Sequence, residues 1–156
     1  MQLIQKDLYR IAKMRLFSED DVNEAVQNTI VNSFISIKSL KNEKYFKTWI
    51  IKILINECNH IYKSKKEIIF EEYSENSIKE MSRDYINDSI HNIDFFELVK
   101  NLNYEERMLI TLFYSEDLSV KEISSIMDIP QSTVTTKLSR ARNKLKKILE
   151  GGELYE

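Results

Sequence analysis

Two glycines and one proline in 156 residues constrain this chain more than any other feature of its sequence. Hairpins and tight loops draw on Gly for positive φ and on Pro for a fixed φ, so a chain almost without them has few places to reverse sharply. Leu, Ile, Lys and Glu dominate instead, and an all-α fold is predicted. With 42% hydrophobic and 31% charged residues the chain should pack rather than stay disordered, and its length suits one ordinary domain or two very small ones. It holds no run of about 18 or more apolar residues, and the amphipathic N-terminus lacks the apolar core and cleavage site of a signal peptide. A cytoplasmic protein without direct membrane insertion is therefore expected. Cys58 is the single cysteine; it lies within an apolar helical pattern and is expected to be a buried thiol, not part of a disulfide or a cysteine-rich metal site.

Apolar periodicity divides the chain. Leu8, Ile11, Ala12 and Leu16 form one stripe on a predicted helix over 2–17. Ser18 reads as an N-cap, and Asp20 and Asp21 suit the positive end of a second helix over 19–37 that buries Val22, Ala25, Val26, Ile30, Phe34 and Ile37. Its other face carries Glu24, Gln27, Asn28 and Val31. Residues 38–45, KSLKNEKY, break the period and should form an exposed basic loop. A third helix over 46–63 follows, with Phe46, Trp49, Ile50, Ile53, Leu54 and Ile61 as its core stripe and Lys52, Asn56, Asn59 and Lys63 on one polar face. These helices make a first domain, 1–65, and the weakly periodic, Glu-, Ser- and Asn-rich stretch 66–89 reads as a linker.

The second domain, 90–156, opens with Phe95, Leu98, Val99 and Leu102. Asn103 with Glu106, and Ser119 with Glu122, are capping boxes starting two further helices, whose core positions are Met108, Leu109, Leu112 and Phe113 in one and Ile123, Ile126 and Met127 in the other. The Asp128-Ile129-Pro130 break leads into a final helix reaching about residue 150, with Val134, Leu138, Ala141 and Leu145 inward and Gly151-Gly152 as its stop. A short capped helix, a tight break and a longer helix with polar first turns are the parts of a helix-turn-helix, which offers its second helix to the DNA major groove. Gln131, Ser132, Thr133, Thr135, Thr136 and Ser139 are short hydrogen-bonding groups suited to base edges. Lys137, Arg140, Arg142, Lys144, Lys146 and Lys147 supply positive charge for phosphates, uninterrupted by an acid until Glu150. A net charge of −2 says nothing against this, because phosphate binding depends on local concentration of cations. A basic run alone would read as a solvated helix end; the capping box and break ahead of it reverse that preference.

Residues 102–149, LNYEERMLITLFYSEDLSVKEISSIMDIPQSTVTTKLSRARNKLKKIL, resemble the promoter-binding region four of extracytoplasmic-function sigma factors, whose recognition helix commonly reads TVKSRLSRAR. LYRIA at 8–12, DDVNEAVQNTIVNSF at 20–34 and FKTWIIKILINEC at 46–58 resemble region two in the right order and spacing. The resemblance implies a non-enzymatic protein with no cofactor that binds core RNA polymerase, reads promoter DNA and helps open it. It places Asp21, Glu24, Gln27 and Asn28 against the clamp helices of the largest polymerase subunit. It assigns Lys41, Asn42, Lys44, Tyr45, Lys47, Lys52, Asn56, Asn59 and Lys63 to the minus-ten element, whose bases leave the stack to be read. Trp49, on the apolar stripe, is expected in the core rather than stacked on a base. Ser132, Thr133, Thr135, Thr136, Ser139, Arg140, Arg142 and Lys144 are assigned to the minus-thirty-five element. Thr135-Thr136-Lys137 replaces the common Lys-Ser-Arg, so the preferred sequence should differ; His60 stands where the family often has Asp, and Lys63-Ser64 where it often has two arginines. Many relatives are held by an anti-sigma factor, which makes such a factor an expected partner.

Two rivals remain at this level. A free-standing helix-turn-helix regulator would bind duplex operators without polymerase, and a dimer of it would need paired half-sites. An enzyme is poorly provided for: His60 and His91 are isolated, no glycine-rich phosphate loop is present, and no small-molecule substrate is implied.

Overall fold

The computed structural model describes residues 2–72 and 90–151, and side chains within 4–65 and 95–151. The chain divides into two compact units, Met1–Tyr85 and Ile86–Glu156, and the described residues contain no strand. Of the expected linker, 66–72 are helical and 73–89 lie outside the described residues; the side chain of His91 also lies outside them.

In the first unit α1 (Gln2–Lys13), α2 (Glu19–Ser36) and α3 (Phe46–Glu72) pack against one another. Leu8, Ile11, Ala12 and Leu16 are all buried. The helix itself ends earlier than 17, because the amides of Met14 and Arg15 close tighter turns onto the carbonyls of Ile11 and Ala12 at 3.0 Å each. In α2, Val22, Ala25 and Val26 are core, and Thr29 joins them by donating its hydroxyl to the Ala25 carbonyl at 2.7 Å. Phe34 and Ile37, expected inside, are 66% and 47% exposed. Phe34 falls seven residues after exposed Gln27, and so on the outward face of α2 rather than on the stripe of Val22, Ala25, Val26 and Thr29.

The α3 stripe is also wider than expected. Ile50, Leu54 and Ile61 are buried as anticipated, but Ile51, Ile55 and Cys58 are buried too, while Phe46, Trp49 and Ile53 are half-buried. A helix packed between two others needs a broad apolar face rather than a narrow seam.

In the second unit the elements are α4 (Ile90–Val99), α5 (Tyr104–Ile110), α6 (Val120–Met127) and α7 (Gln131–Leu149). Both capping boxes form, with Asn103 Oδ1 accepting from the Glu106 amide at 2.9 Å and Ser119 Oγ from the Glu122 amide at 3.2 Å. The sequence pattern did not foretell the π turn Thr111–Ser115 that follows α5, where the Glu116 amide reaches back to the Thr111 carbonyl at 3.2 Å. Leu112 stays buried, but the wider turn leaves Phe113 half-buried and Tyr114 50% exposed. α7 lies across the unit, packing on α4, α5 and α6 through Val134, Leu138 and Ala141, all buried. It ends at Gly151, whose φ of 76° suits glycine and few other residues.

Candidate functional site

The helix-turn-helix is held by local chemistry at its break. α6 stops because Asp128 adopts a left-handed conformation, φ 53° and ψ 43°, which a short acidic side chain tolerates better than an aliphatic one. Ser124 then closes the turn, donating its hydroxyl to the Ile129 carbonyl at 2.5 Å while its own carbonyl accepts the Ile129 amide at 3.3 Å. Pro130, extended at ψ 148°, leads into α7, and its carbonyl accepts the Val134 amide at 3.0 Å.

With Val134, Leu138 and Ala141 inward, the residues opposite them are Ser132, Thr136, Ser139 and Asn143, a stripe at i, i+4, i+7 and i+11, all exposed. Arg140, also exposed, flanks it. Asn143 was not singled out from the sequence, although its spacing from Ser139 could have shown it. Thr135 and Thr136 donate their hydroxyls to the carbonyls of Gln131 and Ser132 at 3.1 and 2.9 Å, which fixes their rotamers and leaves the oxygens able to accept a further bond. Thr133 is half-buried to one side.

The downstream cations divide. The Arg142 guanidinium lies 5.4 Å from the Phe113 ring centroid and 5.7 Å from that of Tyr114, so the π turn supplies an aromatic seat for it. Lys144, assigned to phosphate from the sequence, instead bonds both oxygens of Glu106 at 2.7 and 3.0 Å, and Lys137 pairs with Glu105. Both acids sit in the first turn of α5, beside the side of α7 on which Lys137 and Lys144 fall, seven residues apart. Sequence spacing along α7 cannot see an acid on another helix.

In the first unit the basic loop is built from two short turns, Ile37–Ser39 and Glu43–Tyr45. Asn42 accepts the Lys44 amide at 3.0 Å, which shapes the second turn and leaves Lys41, Asn42, Lys44 and Tyr45 exposed. The Lys44 ammonium lies 5.9 Å from the Tyr45 ring centroid. Trp49 is half-buried against Phe46, centroids 5.9 Å apart, and donates its indole N–H to Ser39 Oγ at 3.2 Å, tying loop to helix. Lys52, Asn56, Asn59 and Lys63 recur at i, i+4, i+7 and i+11 of α3, with Asn56 and Lys63 exposed and Lys52 and Asn59 half-buried; Lys47 is exposed at the helix start.

The polar face of α2 is split. Glu24 and Gln27 are exposed and Asn28 half-buried. Asp21, expected on this surface, is 7% exposed and pairs with Lys65, bracing the start of α2 against α3. One turn beyond Gln27 the face becomes apolar: Val31, Phe34 and Ile35 are 57%, 66% and 76% exposed. Burial pushes the Cys58 thiol up to about 12, against a weaker opposite pull from the charge of Arg15. Among the described residues no group of His, Cys, Asp and Glu could hold a metal ion, and no helix is long and apolar enough to cross a membrane.

Comparison with known proteins places both units. Residues 1–67 match the family described as Sigma-70 region 2, and residues 94–145 match Sigma-70, region 4. The chain is similar to the RNA polymerase sigma factor SigV of Bacillus subtilis, 28% identical over 88% of this chain and 81% of that one. It is similar also to the ECF RNA polymerase sigma factor SigM of the same organism, 26% identical over 97% of this chain and 93% of the relative. In fold it resembles the sigma factor RpoE of Bartonella quintana, solved in complex with the anti-sigma factor NepR, with a TM-score of 0.71, 22% identity and coverage of 96% and 93%.

Proposed function

Since the chain belongs to the extracytoplasmic-function sigma factors of the sigma-70 family, we propose that it binds core RNA polymerase as an alternative sigma factor, brings it to a particular set of promoters and assists strand opening there. The observation that carries the reading is the outward stripe Ser132, Thr136, Ser139 and Asn143 with Arg140 at its flank, presented by a capped helix-turn-helix. Short polar groups in that position read base edges in the major groove of the minus-thirty-five element, and Arg140 and Arg142 neutralise phosphates. Thr133 and Thr135 border the stripe; Lys144 belongs to the scaffold that holds it.

The basic loop and the α3 stripe serve the minus-ten element. Lys41, Lys44 and Lys47 follow the backbone of the opened strand, Tyr45 offers an exposed ring to an unstacked base, and Asn42, Asn56 and Asn59 offer amides, with Lys52 and Lys63 completing the charge. Polymerase docks on α2, where Glu24, Gln27 and Asn28 give orientation and the adjoining Val31, Phe34 and Ile35 give apolar area. The clamp helices of the largest subunit are the partner that this face takes. An anti-sigma factor that covers these surfaces holds the protein inactive in the cytoplasm until a signal releases it. The catalytic chemistry of transcription stays with the polymerase.

The test is a gel shift on promoter fragments with and without core polymerase. The sigma reading expects a specific shift that needs polymerase and is followed by strand opening. Tight, specific binding of the chain alone to duplex operators with paired half-sites, unaffected by polymerase, would replace it with the free-standing regulator.

A further inference from the structure

Two lysines of α7 are held by neighbouring acids of α5, and the two pairs differ in kind. Glu106 is part of a capping box, its side chain is 10% exposed, and it takes Lys144 with both oxygens. Glu105, one residue earlier, stands outside that box with a side chain 49% exposed, and its partner Lys137 is 30% exposed. The first pair is a fixed brace. The second lies in high dielectric, where an exposed ion pair typically changes an equilibrium constant by about 1.5- to 5-fold. Lys137 also follows Thr133 by one turn and precedes Arg140 by one, so it stands on the flank of α7 next to residues proposed to meet DNA.

We propose that Glu105 is an electrostatic competitor for DNA: it holds Lys137 in the free protein and gives it up to a backbone phosphate when α7 enters the groove. The inference rests on the reading of α7 as the DNA-reading helix. A lysine placed on a phosphate releases condensed counterions, worth a slope of about 0.9 in log affinity against log salt. The exchange therefore runs toward DNA at low salt. It leaves the Glu105 carboxylate unpaired near like charge, which weakens binding and lets the acid recapture a cation from solution. Glu105 thus lowers affinity and softens its salt dependence, and a factor with weak intrinsic DNA affinity stays dependent on polymerase for promoter binding.

The experiment compares the full chain with its Glu105→Gln, Lys137→Ala, Arg140→Ala and Glu105→Gln/Lys137→Ala variants. Fluorescence anisotropy is read on an AT-rich DNA duplex of about 25 base pairs between about 50 and 200 mM salt. Glu105→Gln keeps the shape of the side chain and removes its charge, so it is expected to bind about 2- to 5-fold more tightly at the lowest salt, with a slope steeper by up to about 0.9. Lys137→Ala should bind more weakly than the unaltered chain, and Glu105→Gln should improve it by less than it improves the unaltered chain. If Arg140→Ala weakens binding while Glu105→Gln matches the unaltered chain, α7 does meet DNA and Glu105 does not compete. An equal gain from Glu105→Gln with and without Lys137 would overturn the exchange, since the effect would not pass through that lysine. Failure of the unaltered chain and of Glu105→Gln alike to bind at the lowest salt would overturn this inference alone, since the proposed function rests on binding in the presence of polymerase.

Discussion

Truncating Phe34 and Ile35 to alanine should separate polymerase binding from stability, because both side chains stand outside the core. Fully burying such a side chain is worth about 1.5–3 kcal/mol. With 66% of Phe34 and 76% of Ile35 exposed, a partner that covers them gains about 1–2 kcal/mol from each. The double variant should therefore lose about 2–4 kcal/mol of binding, or roughly 30- to 700-fold in Kd. Stability should hold or rise slightly, since alanine favours a helix over Phe or Ile by a few tenths of a kcal/mol per site and little packing is lost. Titration of labelled chain with core polymerase gives the Kd, and urea unfolding of the same samples gives the control. An unchanged Kd in a variant of unchanged stability would show that polymerase does not cover this face, and the docking assignment on α2 would fall.

Lys144→Ala should destabilise the second unit by about 1–3 kcal/mol in urea unfolding, because it leaves the largely buried Glu106 carboxylate without its cation, whereas Lys146→Ala at an exposed position should change stability by less than about 0.5 kcal/mol. Cys58 should react slowly with a thiol reagent in the folded protein at neutral pH and quickly in urea; its raised pKa stabilises the fold fully below the ordinary thiol value of 9.0, and that contribution should be lost as pH rises from there through about 12. Replacing Lys41, Asn42 and Lys44 together with alanine should leave polymerase binding near normal and abolish permanganate-reactive thymines at the promoter, since the loop adds little to the core; melting at the unaltered rate would make the loop a mere connector.

The sequence by itself determined the helical class, the two apolar cores and the starts of the last three helices of the second unit. These rest on local physics: scarcity of Gly and Pro, period 3.6, and capping boxes whose partners lie three residues apart, as Asn103 with Glu106 and Ser119 with Glu122 do. The stripe of α7 was legible for the same reason, since Val134, Leu138 and Ala141 define its inward face and so its outward one. What tertiary structure decided depends on groups distant in sequence. Asp21 is withdrawn from the surface by Lys65, and Lys144 and Lys137 are engaged by Glu106 and Glu105, at separations of 44, 38 and 32 residues. Phe34 and Ile37 are apolar yet exposed; Phe34 lies seven residues from exposed Gln27, on the outward face of α2. The π turn that seats Arg142 on Phe113 and Tyr114 adds a residue to one helical turn, a shift that amphipathic periodicity does not reveal. A charge or an apolar side chain announces its type in the sequence; whether it is available to a partner is settled by what packs beside it.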